Sequence, residues 1–229
     1  IVLVNSSNAM ELGWLDEYDI DAALWIGGVG QEGLYAVADI LVGNVNPSGK
    51  LSDTYAADSF SSPAMQNADG YTYSNADELD AALAPSYGDG QSVRYNKYRV
   101  YQEGIYVGYK YYETRYEDMI LGGRNADSES GTFASKGGWS YADEVVYPFG
   151  YGLSYTQFAQ ELKDVRETDE GFQIEVEVAN TGETAGKSVV QIYAQQPYTQ
   201  FDIDNGIEKA SVQLVGFAKT DLIEAGNAQ

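Results

Sequence analysis

Apolar positions follow two rhythms along the chain, and the change falls near Phe158. Upstream, short continuous apolar runs alternate with helix-spaced ones; downstream, apolar and polar residues alternate at every second position. Residues 1–4 (IVLV) predict a buried strand, ended by the polar cluster Asn5, Ser6, Ser7 and Asn8. Residues 10–18, with Trp14 and Leu15, predict a short helix or loop packed on it, and residues 20–26 predict a second buried strand. In residues 31–42, Leu34, Val37, Ala38 and Leu41 recur at helical spacing, and Gly43-Asn44 supplies a left-handed stop. This alternation predicts parallel strands with a helix layered on them. Asn46-Pro47-Ser48-Gly49 has the residues of a type I turn, after which residues 51–55 predict a short strand.

From residue 56 to about 96 the periodicity fades. The exception is residues 77–83, which predict one or two helical turns before Pro85 and the glycines at 88 and 90 interrupt. An aromatic segment, 98–116, follows. Within IYVGYKYY, Ile105, Val107, Tyr109 and Tyr111 alternate with Tyr106, Gly108, Lys110 and Tyr112, which predicts a strand. Its tyrosines, each with an apolar face and a polar tip, suit a sugar-binding wall or packing against a neighbouring domain. Residues 119–143 read as a second irregular insertion, and 148–155 (PFGYGLSY) as a fixed turn. Farther on, Phe172, Ile174, Val176 and Val178 alternate with Gln173, Glu175 and Glu177; Asn180-Thr181-Gly182 turns the chain, and residues 188–194 and 212–219 add strands. Roughly four strands of a β-sandwich are present where a complete fibronectin-like one has about seven.

Charge and missing residue types narrow the chemistry. With 35 acidic and 13 basic residues the formal net charge is -22, which disfavours nucleic acid and anionic membrane surfaces and favours a neutral partner. There is no Cys and no His. Disulfides, thiolate nucleophiles, Ser-His-Asp triads and histidine acid/base catalysis are therefore excluded within this chain, and carboxylate chemistry remains. No apolar run is long enough to span a bilayer. The chain opens inside an apolar strand without an initiator Met, as expected of a fragment or processed product.

Gly28, Gly30 and Gly33 match G-x-G-x-x-G between a strand and a helix, the context in which that motif cradles a pyrophosphate. Glu32 stands where the diphosphate would meet the helix N-terminus, and its charge suits the helix dipole while repelling the ligand. Asp53 lies near the ribose-binding offset but beyond the 46–49 turn. Against dinucleotide binding stands a simpler reading, a tight loop whose glycines let backbone approach the sheet.

Taken in order, WIGGVGQEGLYAVADILVGNVNPSGKL, EGIYVGYKYYE, YPFGYGLSYTQF, VEVANTGETAGKSVVQIYAQQP and LVGFAKTDL resemble the C-terminal half of glycoside hydrolase family 3, with β-glucosidases as the nearest group. The resemblance implies the C-terminal part of an α/β sandwich-type domain with an open, mainly parallel sheet over residues 1–157, irregular insertions included. An all-β, incomplete fibronectin type III-like sandwich would follow over 158–229. It also implies a small oligosaccharide or β-glucoside substrate, cleaved at a terminal nonreducing β-D-glucosyl residue by a retaining two-carboxylate mechanism, without metal or cofactor. The nucleophilic Asp of that mechanism belongs to a barrel domain, before or after this chain in the parent, and the Glu acid/base to a position just upstream of Ile1. No catalytic residue is assigned within the chain, and the fragment is expected to be inactive. An extracellular or cell-surface bacterial setting is expected over a cytoplasmic one. Gln31 and Glu32 are the substrate-cleft candidates; Glu11, Glu17 and Glu103 are weaker, and for Glu103 a structural pairing with Lys110 or Arg115 stands beside any substrate role. The alternative from the binding class is a non-catalytic carbohydrate-binding surface module.

Overall fold

The computed structural model describes residues 1–66, 70–83, 97–101, 103–121 and 139–229. Its first part contains β1 (Val2–Val4), α1 (Trp14–Glu17), β2 (Ala23–Trp25), α2 (Gly33–Leu41) and β3 (Tyr55–Ala56), then a 3-10 turn Ser59–Ser61 and α3 (Pro63–Gln66). After these come β4 (Tyr71–Thr72), α4 (Ala76–Leu83), β5 (Lys97–Tyr98), α5 (Tyr109–Leu121), α6 (Tyr141–Glu144) and β6 (Val145–Tyr147). The second part is β7 (Phe158–Thr168), β8 (Gly171–Asn180), β9 (Val189–Gln195), α7 (Gln200–Asp204) and β10 (Val212–Lys219).

β1 and β2 pair in parallel, as the strand-helix alternation predicts. The expected mainly parallel sheet is otherwise absent among the described residues: β3 pairs with β6 and β4 with β5, both antiparallel. Leu12 and Leu15 around α1 pack with Val4 and Tyr55 into one buried cluster, joined by Val2, Ile20, Leu51 and Tyr147. Each such side chain contributes about 1.5–3 kcal/mol on full burial. The two strands are less buried than their apolar runs predict. Leu3 remains 41% exposed because it leaves the face opposite Val2 and Val4, which the cluster covers, and Trp25, opposite Val4 at the end of the pair, is 47% exposed.

Helix α2 ends as its glycine predicts. Gly43 takes φ +81 and donates to the Ile40 carbonyl, while the Asn44 amide reaches back to Asp39, the paired bonds of a left-handed helix stop. The expected type I turn at residues 46–49 does not form. Asn46 instead holds three segments together: its Nδ2 donates to Ala185 O at 3.0 Å, and its Oδ1 accepts from Ser154 Oγ and the Tyr155 amide, both at 2.8 Å. Strand β3 begins where the predicted 51–55 strand ends, since Leu51 is engaged by the 148–151 turn through Leu51 N→Tyr151 O and Gly150 N→Leu51 O.

Alternation in IYVGYKYY proves misleading: residues from Tyr109 onward form helix α5. Gly104 and Gly108, at φ +56 and +57, turn the chain ahead of it. From Tyr109 the helical spacing places Tyr112 one turn on, buried against Ala56 and Val145. The far side of α5 meets β10, where Ser211 N donates to Thr114 Oγ1 and Leu214 N to Tyr109 Oη, both at 2.9 Å. Helix α4 fulfils the 77–83 expectation. Residues 67–69, 84–96 and 122–138 of the two predicted insertions lie outside the described residues.

Downstream, two antiparallel pairs, β7–β8 and β9–β10, face each other across a cleft of about 740 Å³ lined by Ile174, Val176, Val178, Val190 and Ile192. The predicted apolar face of β8 is the one turned inward. Asn180, 1% exposed, ends β8 and forms four bonds: it accepts from Thr156 Oγ1 and the Gly182 amide and donates to Thr184 O and Ile223 O.

Candidate functional site

The register Val2↔Ala23, Leu3↔Leu24, Val4↔Trp25 brings the carboxyl ends of β1 and β2 to one edge, where open α/β sheets form their ligand crevices. Two loops leave that edge. After β1, Ser6 Oγ donates to Asn8 O at 2.8 Å and accepts from the Asn8 amide at 3.1 Å, folding the polar cluster into a compact turn. After β2, Ile26 N donates to Val4 O at 2.8 Å, and Gly27 then bends the chain at φ +56.

Trp25 ties the loops together. Its indole N–H donates to Ser6 O at 2.9 Å, and a Cβ on Gly27 would sit 3.3 Å from its ring, so the indole lies against bare backbone with one side open. Sequence reasoning missed this residue because it sits in an apolar run and reads as core. The available signal was its place as the last strand residue before a glycine loop.

The glycine motif has a structural explanation. Gly30 adopts φ +63, and the Gly33 amide donates to Val29 O at 3.1 Å. A Cβ on Gly33 would approach Val29 Cβ to 2.9 Å, so the third glycine lets the loop fold back on the helix start. The Gly33 amide that a phosphate cradle would offer is used inside the loop. Gln31 and Glu32 are both exposed, and Glu32 occupies the N-cap of α2 without a side-chain capping bond. The structure therefore places both cleft candidates at the loop-to-helix junction that follows Trp25.

Several other carboxylates are committed to structure. Glu11 Oε1 accepts the Ser59 amide at 2.8 Å, Asp58 Oδ1 the Phe60 amide at 2.8 Å, and Glu113 Oε1 the Tyr141 hydroxyl at 2.6 Å. Arg115 does not serve Glu103 as one expected pairing had it. It donates to Tyr111 Oη at 2.6 Å and lies over the Trp139 ring at 5.0 Å. Beside it Glu144 is completely buried, with the Trp139 indole N–H bonded to Oε2 and no hydrogen-bond partner for Oε1. Burial pushes its carboxyl pKa up, against the opposing pull of the Trp139 bond and the Arg115 charge. Tyr111 is raised to about 12, chiefly by burial and then by the Glu144 charge, so it stays a neutral hydroxyl. An acid enclosed in this way is closed to a substrate. Among the described residues no group of three or more His, Cys, Asp or Glu is placed to hold a metal ion.

Residues 1–109 match the model of the glycosyl hydrolase family 3 C-terminal domain. The whole chain aligns at 32% identity with a β-glucosidase of Ruminococcus albus and with β-glucosidase A of Butyrivibrio fibrisolvens, spanning 18% and 23% of their lengths. Among solved structures it resembles, over its full length, the β-glucosidase of Kluyveromyces marxianus in complex with glucose, with a TM-score of 0.69 at 28% identity. β-Glucosidase 3B of Thermotoga neapolitana, also in complex with glucose, is similar with a TM-score of 0.62 at 29% identity. The chain covers 20% and 24% of those two chains, so it spans about a fifth to a quarter of the relatives it matches.

Proposed function

We propose that this chain is part of a β-glucosidase of glycoside hydrolase family 3, residues 1–157 belonging to its α/β sandwich domain and 158–229 to a fibronectin type III-like domain; the match of residues 1–109 to the family's C-terminal domain model supports it. The parent enzyme removes terminal nonreducing β-D-glucosyl residues with retention, using an aspartate nucleophile on its barrel domain and a glutamate acid/base outside this chain. Retention requires the two carboxyl groups about 5–5.5 Å apart across the scissile bond. Within this chain Glu11 is bound to the Ser59 amide and Glu144 is sealed in the core.

The observation that carries this reading is the shared edge of β1 and β2. It presents an indole pinned between two loops and two exposed polar side chains, Gln31 and Glu32, in the loop that leaves it. Apolar ring surface with polar groups beside it suits a neutral sugar. Glu32 and Gln31 act there as positioning residues at the rim of the sugar cleft, and the 27–33 loop is the elbow that holds them.

The test is steady-state hydrolysis of an aryl β-glucoside by the full-length enzyme and its Glu32→Gln variant. The reading expects KM to rise with kcat nearly kept, since only uniform binding is lost. A fall in kcat of a thousandfold with KM unchanged would instead make Glu32 part of the chemistry. The isolated chain should release no glucose above a protein-free control; if it did, the placement of both carboxylates outside it would be wrong.

A further inference from the structure

The β4–β5 pair turns a set of aromatic rings toward solvent. Tyr71 and Tyr98 are register partners across the two strands, so their side chains leave the same face, and Tyr73 lies two residues beyond Tyr71. The Tyr71 and Tyr98 rings stack with centroids 5.6 Å apart at 29°, and Tyr73 lies 4.7 Å from Tyr98 at 41°. The three rings pack on one another, yet Tyr71, Tyr73 and Tyr98 keep 41%, 43% and 38% of their surface exposed. Three touching, exposed rings form a continuous patch, unlike the scattered exposed residues of an ordinary surface.

The cationic side chains take the other face of the strand pair. Lys97 and Arg99 flank Tyr98 and, with Gly70, line a recess of about 320 Å³. The Lys97 stem lies along Gly70, where a Cβ would come within 3.1 Å of its Cδ. The patch thus combines ring surface with phenolic tips. Ring faces accept the C–H face of a pyranose, while phenol hydroxyls bond its hydroxyls. A net charge of -22 works against a polyanionic occupant.

We propose that Tyr71, Tyr73 and Tyr98 form a binding platform for neutral gluco-oligosaccharides, separate from the cleft edge at Trp25. The class of sugar rests on the β-glucosidase reading; the platform rests on the ring geometry. It takes up glucosyl units of a longer chain and contributes nothing to a substrate with a single glucosyl unit.

Two measurements separate the platform from that reading. Laminaritetraose and cellotetraose are titrated into this chain by calorimetry, with Tyr98→Ala, Tyr73→Ala and Tyr98→Phe alongside, and thermal melts report folding. At least one of the two oligosaccharides should bind, about tenfold more weakly to each alanine variant and nearly unchanged to Tyr98→Phe, which keeps the stacked ring. Should Tyr98→Ala disturb the strand pair, Tyr73→Ala, beyond the paired strand residues, carries the comparison. No binding of either sugar at millimolar concentration overturns the platform, as does binding that both folded alanine variants retain, or binding of a polyanionic dextran sulfate in place of the neutral sugars. Aryl β-glucoside hydrolysis by the full-length enzyme tests the family reading independently. Inactivity there with sugar binding intact removes the β-glucosidase and leaves the platform; activity without sugar binding does the reverse.

Discussion

Replacing Glu144 gives the sharpest physical test of the core. Its side chain is 0% exposed, Oε2 accepts the Trp139 indole N–H, and Oε1 has no hydrogen-bond partner. Ser61 and Tyr111 come close enough to favour the charged form without bonding Oε1. Desolvation outweighs these aids and the Arg115 charge, so the folded-state pKa lies above the ordinary 4.5. The native state therefore binds the proton more tightly than the unfolded chain. Stability contributed by the protonated form is complete below pH 4.5, falls as pH rises through the raised folded value, and stays low above it. Glu144→Gln keeps an acceptor for Trp139 and replaces the orphaned oxygen by an amide N–H₂ beside oxygen acceptors. An orphaned buried acceptor costs about 1–3 kcal/mol. The variant should thus match or exceed the wild type by up to about 2 kcal/mol at pH 8, with a flatter stability–pH profile above 4.5. Glu144→Leu removes the acceptor of the Trp139 indole N–H and the charge that faces Arg115, and should cost about 1–3 kcal/mol. Urea unfolding of the chain from pH 4 to 9, followed by tryptophan fluorescence, measures both. If Glu144→Gln lost as much stability at pH 8 as Glu144→Leu, the ionised pair with Arg115 would be net stabilising and the argument from desolvation would be refuted.

Other consequences are open to direct measurement. Asn180→Ala strands the Thr184 carbonyl and the Gly182 amide and leaves the Ile223 carbonyl only its Gly186 N–H, and should cost about 2–3 kcal/mol in denaturant unfolding. Gly186→Ala would press a Cβ to 2.7 Å from Asn46 Nδ2 and 2.9 Å from Thr156 Cγ2, so a loss of about 1–3 kcal/mol is expected, visible as a lower Tm. Asp202 is held at about 2, first by Lys209, whose Nζ lies 2.8 Å from Oδ1, and then by the Thr199 amide and hydroxyl. Its stabilisation is present above the ordinary value of 3.8 and is lost as pH falls through about 2. Acid unfolding of Asp202→Asn should accordingly show a shallower pH dependence in that window than the wild type.

Local pattern was legible wherever one element could be read without its neighbours. The helix stop at Gly43, the strands around residues 172–178, 188–194 and 212–219, and the short helix at α4 all follow from spacing and cap chemistry. Tyr109 to Tyr112 could not be read this way, because eight residues alternating apolar and polar satisfy period 2 while also fitting a helix face. Packing of Tyr112 on Ala56 and Val145 decided between them. Asn46 failed for a similar reason, its turn chemistry being overridden by partners 108 to 139 residues away. At the cleft edge, Gln31 and Glu32 could be named from their place between strand and helix. Trp25 could not, since only its bond to Ser6 and its seat on Gly27 show that the ring faces outward.

By itself the sequence determined the chemistry open to the chain and carries its likeness to the family 3 C-terminal domain over residues 1–109. Without His or Cys and with a large acidic excess, only carboxylates and tyrosines are available in quantity, and ordered motif blocks carry the family signal. Tertiary structure decided which of those groups are usable. Burial took Glu144 out of reach of any substrate and left it an electrostatic element of the core, while the β4–β5 register gathered Tyr71, Tyr73 and Tyr98 on the surface. The physical reason is that side-chain identity is local, whereas solvent exposure and the partner of each polar atom depend on residues brought together from distant parts of the chain.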